Sequence, residues 1–310
     1  MATTAASVRV TDLDRSFEQA QTSYLGRCAP GYRTRRIHWS GGETQVIEIG
    51  KGEPLLLLHG GGGNAAQWGP ILAALGEQHR VFAVDRPGHG LADPFDYRNV
   101  DLLAHAHRFV SDLLYAERLR SISIAGNSAG GFFAFSFALG SPERVRHLML
   151  VGAPLSIARP KLPLPMRALF TPILKPLLRN IMSHPNRDRV RRMWKQFLVA
   201  YPERLPDALL DLEVANGNRN HSAIFSFLSR IFNSGKQEFA LTDRWKTLSV
   251  PTTFIWGELD ATLSLAAAEA VAAANSHCSV IRIPDAGHVP WYDNPNAVVD
   301  AINRALSGSR

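Results

Sequence analysis

The sequence predicts an α/β protein: a mostly parallel, doubly wound sheet with an inserted helical cap. Short runs of four or five residues, apolar on both faces, recur along the chain, as strands buried within a parallel sheet require. Helix-like stretches alternate with them, which implies right-handed crossovers. The alternation lapses between about residues 154 and 248 and then resumes.

Residues 1–34 read as a partly helical extension. Arg36–Trp39 and Gln45–Ile49 are β-like, and Ser40-Gly41-Gly42-Glu43 between them is a hairpin signal. The buried-strand runs follow: Leu55–Leu58, Arg80–Val84, Ser121–Ala125, Leu148–Val151, Thr252–Trp256 and Val280–Ile283. Asp101–Arg118 is the helix between the second and third of these, and Ala129–Leu139 lies between the third and fourth. Leu265–Ala274 separates the last two, and Pro295–Leu306 closes the chain. The lapse holds Pro154, Pro160, Pro163, Pro165, Pro172 and Pro176, then mostly helical composition, the mark of an insertion above the sheet. The expected organisation is an extension at 1–34, a core made of 35–153 and 249–310, and a cap or lid at 154–248.

At 310 residues, 45% hydrophobic and 20% charged, the chain can bury a large core and is not a disordered polymer. Its net charge of +7 is local. Between Arg159 and Lys195 stand ten Lys/Arg and one acid, Asp188, so that segment carries +9 and the rest is slightly acidic. No nucleic-acid motif accompanies the charge, so no nucleic-acid partner is expected. Two cysteines, Cys28 and Cys278, are too few for a disulfide framework, and a reducing compartment is the default. The N-terminus lacks a basic region followed by an apolar core, and no apolar run approaches the roughly 18 residues of a membrane span. The expectation is a soluble, cytoplasmic protein.

Gly126-Asn127-Ser128-Ala129-Gly130 leaves a strand and enters a helix, the context that a G-x-S-x-G nucleophile elbow needs. A side chain at Gly126 or Gly130 would collide with the neighbouring strand and helix. Ser128 would then project above the sheet, at the positive end of the helix. A serine hydroxyl needs a general base, and histidine suits neutral pH. His288, in Pro284-Asp285-Ala286-Gly287-His288-Val289-Pro290, follows the last strand, at the carboxyl edge where such sheets place their sites. His105 and His107 share no helix face and make a poor metal pair.

The orienting acid should also follow a strand. Asp260, in Trp256-Gly257-Glu258-Leu259-Asp260, is the candidate, with Glu258 second. The segment after Leu148–Val151 (Gly152-Ala153-Pro154-Leu155-Ser156) offers no carboxylate. His59-Gly60-Gly61-Gly62-Gly63 lets the backbone approach a ligand closely, so the N–H groups of Gly61 and Ala129 are candidate oxyanion donors. His59 itself reads as structural. No Lys-Ser/Thr follows, and the spacing is not that of a phosphate loop.

In this order, HGGGG (59–63), DRPGHGLADP (85–94), GNSAGG (126–131), WGELD (256–260) and GHVPWYDNP (287–295), the chain resembles the α/β-hydrolase superfamily over about residues 35–307 except the cap. The resemblance implies the α/β-hydrolase fold, a triad of Ser128, Asp260 and His288, and oxyanion donors at Gly61 and Ala129. It also implies that Trp68 borders the site, with Gly62 and Asn127 as further pocket candidates, and that Asp85 and His89 shape their loop. Haloalkane dehalogenases and epoxide hydrolases of this fold carry an aspartate nucleophile, so Ser128 disfavours both. The GGGG and GNS features are similar to carbon–carbon bond hydrolases of meta-cleavage products. Those usually carry Trp after the histidine, where this chain has Val289.

The expected activity is hydrolysis of a small-molecule carboxylic ester through an acyl-enzyme, without metal or cofactor. A carbon–carbon hydrolase, lactonase or thioesterase would use the same triad, and a ligand-binding protein that reuses the fold is the reading from another class. A homodimer is left open. The basic cap is either a solvated face over packed helices or a lid that attracts anionic substrates or lipid surfaces.

Overall fold

The computed structural model of the chain describes residues 11–153, 171, 173–233 and 244–308. Eight strands make one sheet: β1 (Arg33–Trp39), β2 (Gly42–Ile49), β3 (Glu53–Leu58), β4 (His79–Val84), β5 (Ile122–Asn127), β6 (Val145–Val151), β7 (Thr252–Gly257) and β8 (Cys278–Ile283). Their order is β1-β2-β4-β3-β5-β6-β7-β8. The hairpin strand β2 runs antiparallel to β1 and β4, and the remaining pairs are parallel.

The described helices are α1 (Asp12–Cys28), α2 (Gly69–Gly76), α3 (Leu102–Ala116), α4 (Ala129–Gly140), α5 (Lys175–Met182), α6 (Arg187–Phe197), α7 (Asp207–Asn233), α8 (Leu265–Ala273) and α9 (Pro295–Ser307). The inner strands β3 to β7 are mostly apolar on both sides because both faces are covered, whereas β8, expected from the sequence as a run buried on both faces, lies at the sheet edge and is buried only at Ile283, with Ser279 and Arg282 exposed. Leu55 and Leu57 of β3 join α1, α2 and α9 in one core layer; Leu56 and Leu58 join α3 and α4 in the other. The α4 helix is buried on every side from Ala129 to Ala138, with Phe132, Phe133, Phe135 and Phe137 inside. Truncating one such phenylalanine costs about 3–5 kcal/mol.

The helix α2 carries no signal in the sequence. It is eight residues long and almost wholly apolar, so no polar face gives it a helical period. The expected extension is itself part of the core through α1. Thr11 and Asp14 cap α1 reciprocally, and Phe17, Tyr24 and Leu25 on its inner face are buried. Tyr24 Oη lies 2.8 Å from Tyr292 Oη, and Asp14 pairs with Arg219 of α7 at 2.6 Å. The prolines at 154, 160, 163, 165 and 172 lie outside the described residues, as do residues 155–170 as a whole. Among the described residues, no helix is long and apolar enough to cross a membrane. Cys28 and Cys278 are unpaired.

The strand order places the site. β3 lies between β4 and β5, so the chain's direction of travel across the sheet reverses there. The crevice outside the carboxyl ends at such a reversal is where α/β sheets bind ligands. Here the loops after β3 and β5 meet at that point.

Candidate active site

Ser128 joins β5 directly to α4 with φ 50° and ψ −116°, a conformation that non-glycine residues avoid. The turn is this tight because three glycines permit it. A Cβ at Gly126 would lie 2.5 Å from the Gly130 oxygen, and one at Gly130 would lie 2.1 Å from the Leu58 oxygen. A Cβ at Gly60 would crowd Asn127 Oδ1 (2.8 Å) and Ser128 Cβ (3.3 Å). The loop after β3 therefore passes directly beside the serine.

His288 and Asp260 meet in the interior. The imidazole Nδ1 lies 2.9 Å from Asp260 Oδ2, with the two side chains 4% and 0% exposed. Thr262 joins them: its N–H and Oγ1 donate to Asp260 Oδ1 at 2.7 and 2.6 Å, and its Oγ1 lies 2.9 Å from His288 Nδ1. Burial pushes the Asp260 carboxyl up, but the charge and hydrogen bond of His288 and both bonds from Thr262 outweigh it, holding the group below its ordinary value. Glu258, the second acid of that loop, is exposed.

The loop bearing His288 is tied to the serine elbow. Asn127 Nδ2 donates to the carbonyls of Val151 (2.9 Å) and His288 (3.2 Å). On the other side, Asp293 accepts the N–H groups of Gly287, Ala200 and Tyr201. Among the described residues, no hydrogen bond joins Ser128 Oγ to the His288 ring. Such bonds commonly tighten only when substrate is present.

Gly61 and Ala129 also come together, since a Cβ built at Gly61 would lie 3.8 Å from Ala129 Cβ. Neither backbone N–H has an acceptor among the described residues. Gly62 is exposed, whereas Asn127 is buried with its amide committed as above. Trp68 is fully buried and stacked on Trp291 at 4.0 Å, leaving it no exposed surface for a ligand. His59 is buried too: Nε2 accepts the Arg86 N–H at 2.9 Å, so Nδ1 carries the proton and donates to Gly60 O at 2.9 Å. Asp85 accepts the N–H groups of Ala65 and Leu91, which braces the loop ends.

Several anchors escape a sequence reading because their partners are remote. One face of α7 carries Glu213, Asn216 and Asn220. Asn216 Nδ2 donates to Gly62 O (2.9 Å) and Asn220 Nδ2 to Gly90 O (2.9 Å). Glu213 Oε1 accepts the side-chain amides of Asn64 (3.1 Å) and Gln67 (2.9 Å). Thr262 and Asp293 are nearer to legible, since each stands within five residues of a triad candidate.

Glu213 makes a stability prediction. Burial pushes its carboxyl up to about 7, and the bonds from Gln67 and Asn64 only partly offset this. In the unfolded chain the group ionises near pH 4.3. Between those values the unfolded state is the more ionised, so stability falls as pH rises through the window and levels off above it. The full cost is roughly 4 kcal/mol. Glu213→Gln is expected to raise Tm by about 5 °C at pH 8 and to lose that advantage by pH 4.5. An offset identical at both pH values would remove ionisation of Glu213 as its cause.

The strand order, the covered parallel sheet and the serine elbow are those of an α/β hydrolase. The chain belongs to the alpha/beta hydrolase family, which it matches over residues 55–301. It is 27% identical over 286 residues to the 2-hydroxy-6-oxononadienedioate/2-hydroxy-6-oxononatrienedioate hydrolase 2 of Pseudomonas putida, covering 89% of this chain and 93% of that one. It is 30% identical over 256 residues to the hydrolase of the same description from Cupriavidus pinatubonensis, covering 79% and 82%. Its fold is similar to that of the carboxylesterase CesB from Bacillus subtilis, with a TM-score of 0.76, 20% identity and 96% and 99% of the two chains covered.

Proposed function

We propose that the chain is a serine hydrolase that cleaves a carboxylic ester through an acyl-enzyme. Ser128 Oγ attacks the carbonyl carbon while His288 Nε2 takes its proton. The N–H groups of Gly61 and Ala129 receive the oxyanion, and Asp260 keeps the Nδ1 proton in place and stabilises the imidazolium. The alcohol departs with the proton from His288. Water, activated by the same ring, then releases the acid and restores the serine. The observation that carries the reading is the buried His288–Asp260 pair, whose loop is hydrogen-bonded through Asn127 to the strained serine turn.

A second reading has a specific observation in its favour. The relatives from Pseudomonas putida and Cupriavidus pinatubonensis are named as hydrolases of 2-hydroxy-6-oxononadienedioate and 2-hydroxy-6-oxononatrienedioate. Those names contain no ester, so hydrolysis of such a compound would have to break a carbon–carbon bond. One panel separates the two: p-nitrophenyl esters from acetate to palmitate beside a vinylogous diketone, with Ser128→Ala as control. Ester turnover that disappears in the control is the expected result. A diketone turned over about 100-fold faster than every ester would put carbon–carbon cleavage in its place. Ester turnover that survives in Ser128→Ala would end the serine mechanism.

A further inference from the structure

Arg86 follows β4 and is fully buried. Among the described residues no carboxylate forms an ion pair with it; its strong contacts are to backbone. Nε donates to His59 O (3.0 Å) and Nη2 to Gly60 O (2.8 Å), Nη2 lies 3.5 Å from His89 Nε2, and Nη1 has no partner among the described residues. The rings of Phe133 and Phe227 close around the guanidinium, with centroids 5.1 and 4.8 Å from Cζ. Burial pushes Arg86 down to about 10, which still leaves it charged at neutral pH. A buried cation without an anion is unfavourable.

The two carbonyls it grips locate its effect. Gly60 C=O and Gly61 N–H belong to one peptide group. That carbonyl also accepts from His59 Nδ1 (2.9 Å) and from the Gly63 N–H (3.2 Å). The neighbouring Gly61 O lies 3.0 Å from His89 Nε2, and Gly62 O accepts from Asn216. The carbonyls of His59, Gly60 and Gly62 are thus engaged, while the Gly61 N–H, beside Ala129, has no acceptor among the described residues. A charge-assisted bond to a peptide oxygen polarises the whole peptide and strengthens its N–H as a donor.

We propose that Arg86 is a positioning residue for the reaction. Its guanidinium fork fixes the Gly60–Gly61 peptide and polarises it toward the oxyanion, supplying a buried positive charge that stays uncompensated until the tetrahedral intermediate forms. This rests on the serine-hydrolase reading above. Such a charge favours the transition state over the bound ester, so it acts on kcat more than on KM. Lysine keeps the charge but cannot span both carbonyls.

The test compares wild type, Arg86→Lys and Arg86→Met by four readouts. These are ester kinetics, the rate of fluorophosphonate labelling, inhibition by a trifluoromethyl ketone that forms an oxyanion adduct, and binding of the unreactive ether analogue of the ester. The expected result is a fall in kcat of about 10²-fold for Met and about tenfold for Lys, with KM little changed. Labelling and ketone affinity should fall in parallel, while ether binding holds. If Arg86→Met does not fold, Arg86→Lys alone carries the test. Folded variants with kcat within twofold of wild type would overturn the proposal. So would ether binding that weakens as much as ketone binding, since that marks general damage to the pocket. A wild-type chain that fluorophosphonate leaves unlabelled sinks the serine-hydrolase reading itself, and this inference with it.

Discussion

Ser128→Ala is expected to lower kcat/KM for the best ester by about 10⁴- to 10⁶-fold, and Ser128→Gly to do the same while making the protein more stable. On the proposed mechanism, the first effect follows from losing the attacking oxygen while the proposed oxyanion donors remain. The second follows from the backbone. Ser128 is held at φ 50° and ψ −116°, where a side chain clashes with its own main chain. Conformations of that kind cost about 1–3 kcal/mol. Glycine adopts them freely but loses more chain entropy on folding, about 0.4–1 kcal/mol. The net expectation is a gain of about 1 kcal/mol, a rise in Tm of about 2 °C. Nothing in the packing of α4 requires a hydroxyl there, and the hydroxyl caps no helix N–H. Calorimetry and ester kinetics on the same preparations check both halves. A glycine variant less stable than wild type would show that the serine is kept for the fold.

The elbow was legible in the sequence because its requirements are local: a buried strand, small residues flanking the serine, and a helix, all within some twenty consecutive positions. The inner strands, β3 to β7, were legible for a related reason, since a run covered on both faces is mostly apolar; β8, at the sheet edge, shows only Val280, Ile281 and Ile283 between polar residues. The loops of Asp260 and His288 could be found because each follows such a strand. What could not be read are the contacts that span the chain. Tyr24 meets Tyr292, and Glu213 meets Asn64 and Gln67. No spacing rule links residues that far apart. Arg86 was hidden differently: its neighbours in sequence look like an ordinary loop, and its isolation from carboxylates exists only in three dimensions.

Charge in the inserted segment shows the same limit. The basic run reads as an unopposed field when counted along the chain. In the fold, Arg187 pairs with Asp211 and Arg191 with Asp207, so α7 answers part of the charge that α6 presents. Both pairs are exposed, and surface pairs of this kind add little stability. Their consequence is electrostatic, because each arginine so paired contributes less to attracting an anion from a distance.

Asp260→Asn should reduce kcat by about 10⁴-fold with little change in KM. The carboxylate accepts from His288 Nδ1, from the Thr262 N–H and from Thr262 Oγ1, and it is held ionised although buried. An asparagine amide turned toward Nδ1 would donate instead of accept. The ring would then carry its proton on Nε2, the nitrogen required to receive one from Ser128. Thr262 modifies this outcome. Its hydroxyl lies 2.9 Å from Nδ1 and, released from Asp260, can rotate to accept the Nδ1 proton in a fraction of molecules. Adding Thr262→Val to Asp260→Asn is therefore expected to cost about another tenfold, whereas Thr262→Val alone leaves the carboxylate in place and costs less. The sign of the pH dependence follows from the depressed Asp260 carboxyl. Its ionised form is complete above the ordinary range near pH 3.9 and is lost only as pH falls below it. A change of rate in the wild type between pH 5 and 9 thus belongs to another group, and the Asn variant should lie below wild type by a similar factor across that range. Glu258→Gln, on the exposed side of the same loop, is the matched control and should stay within twofold. If that control lost activity and Asp260→Asn kept it, the acid would have been assigned to the wrong carboxylate.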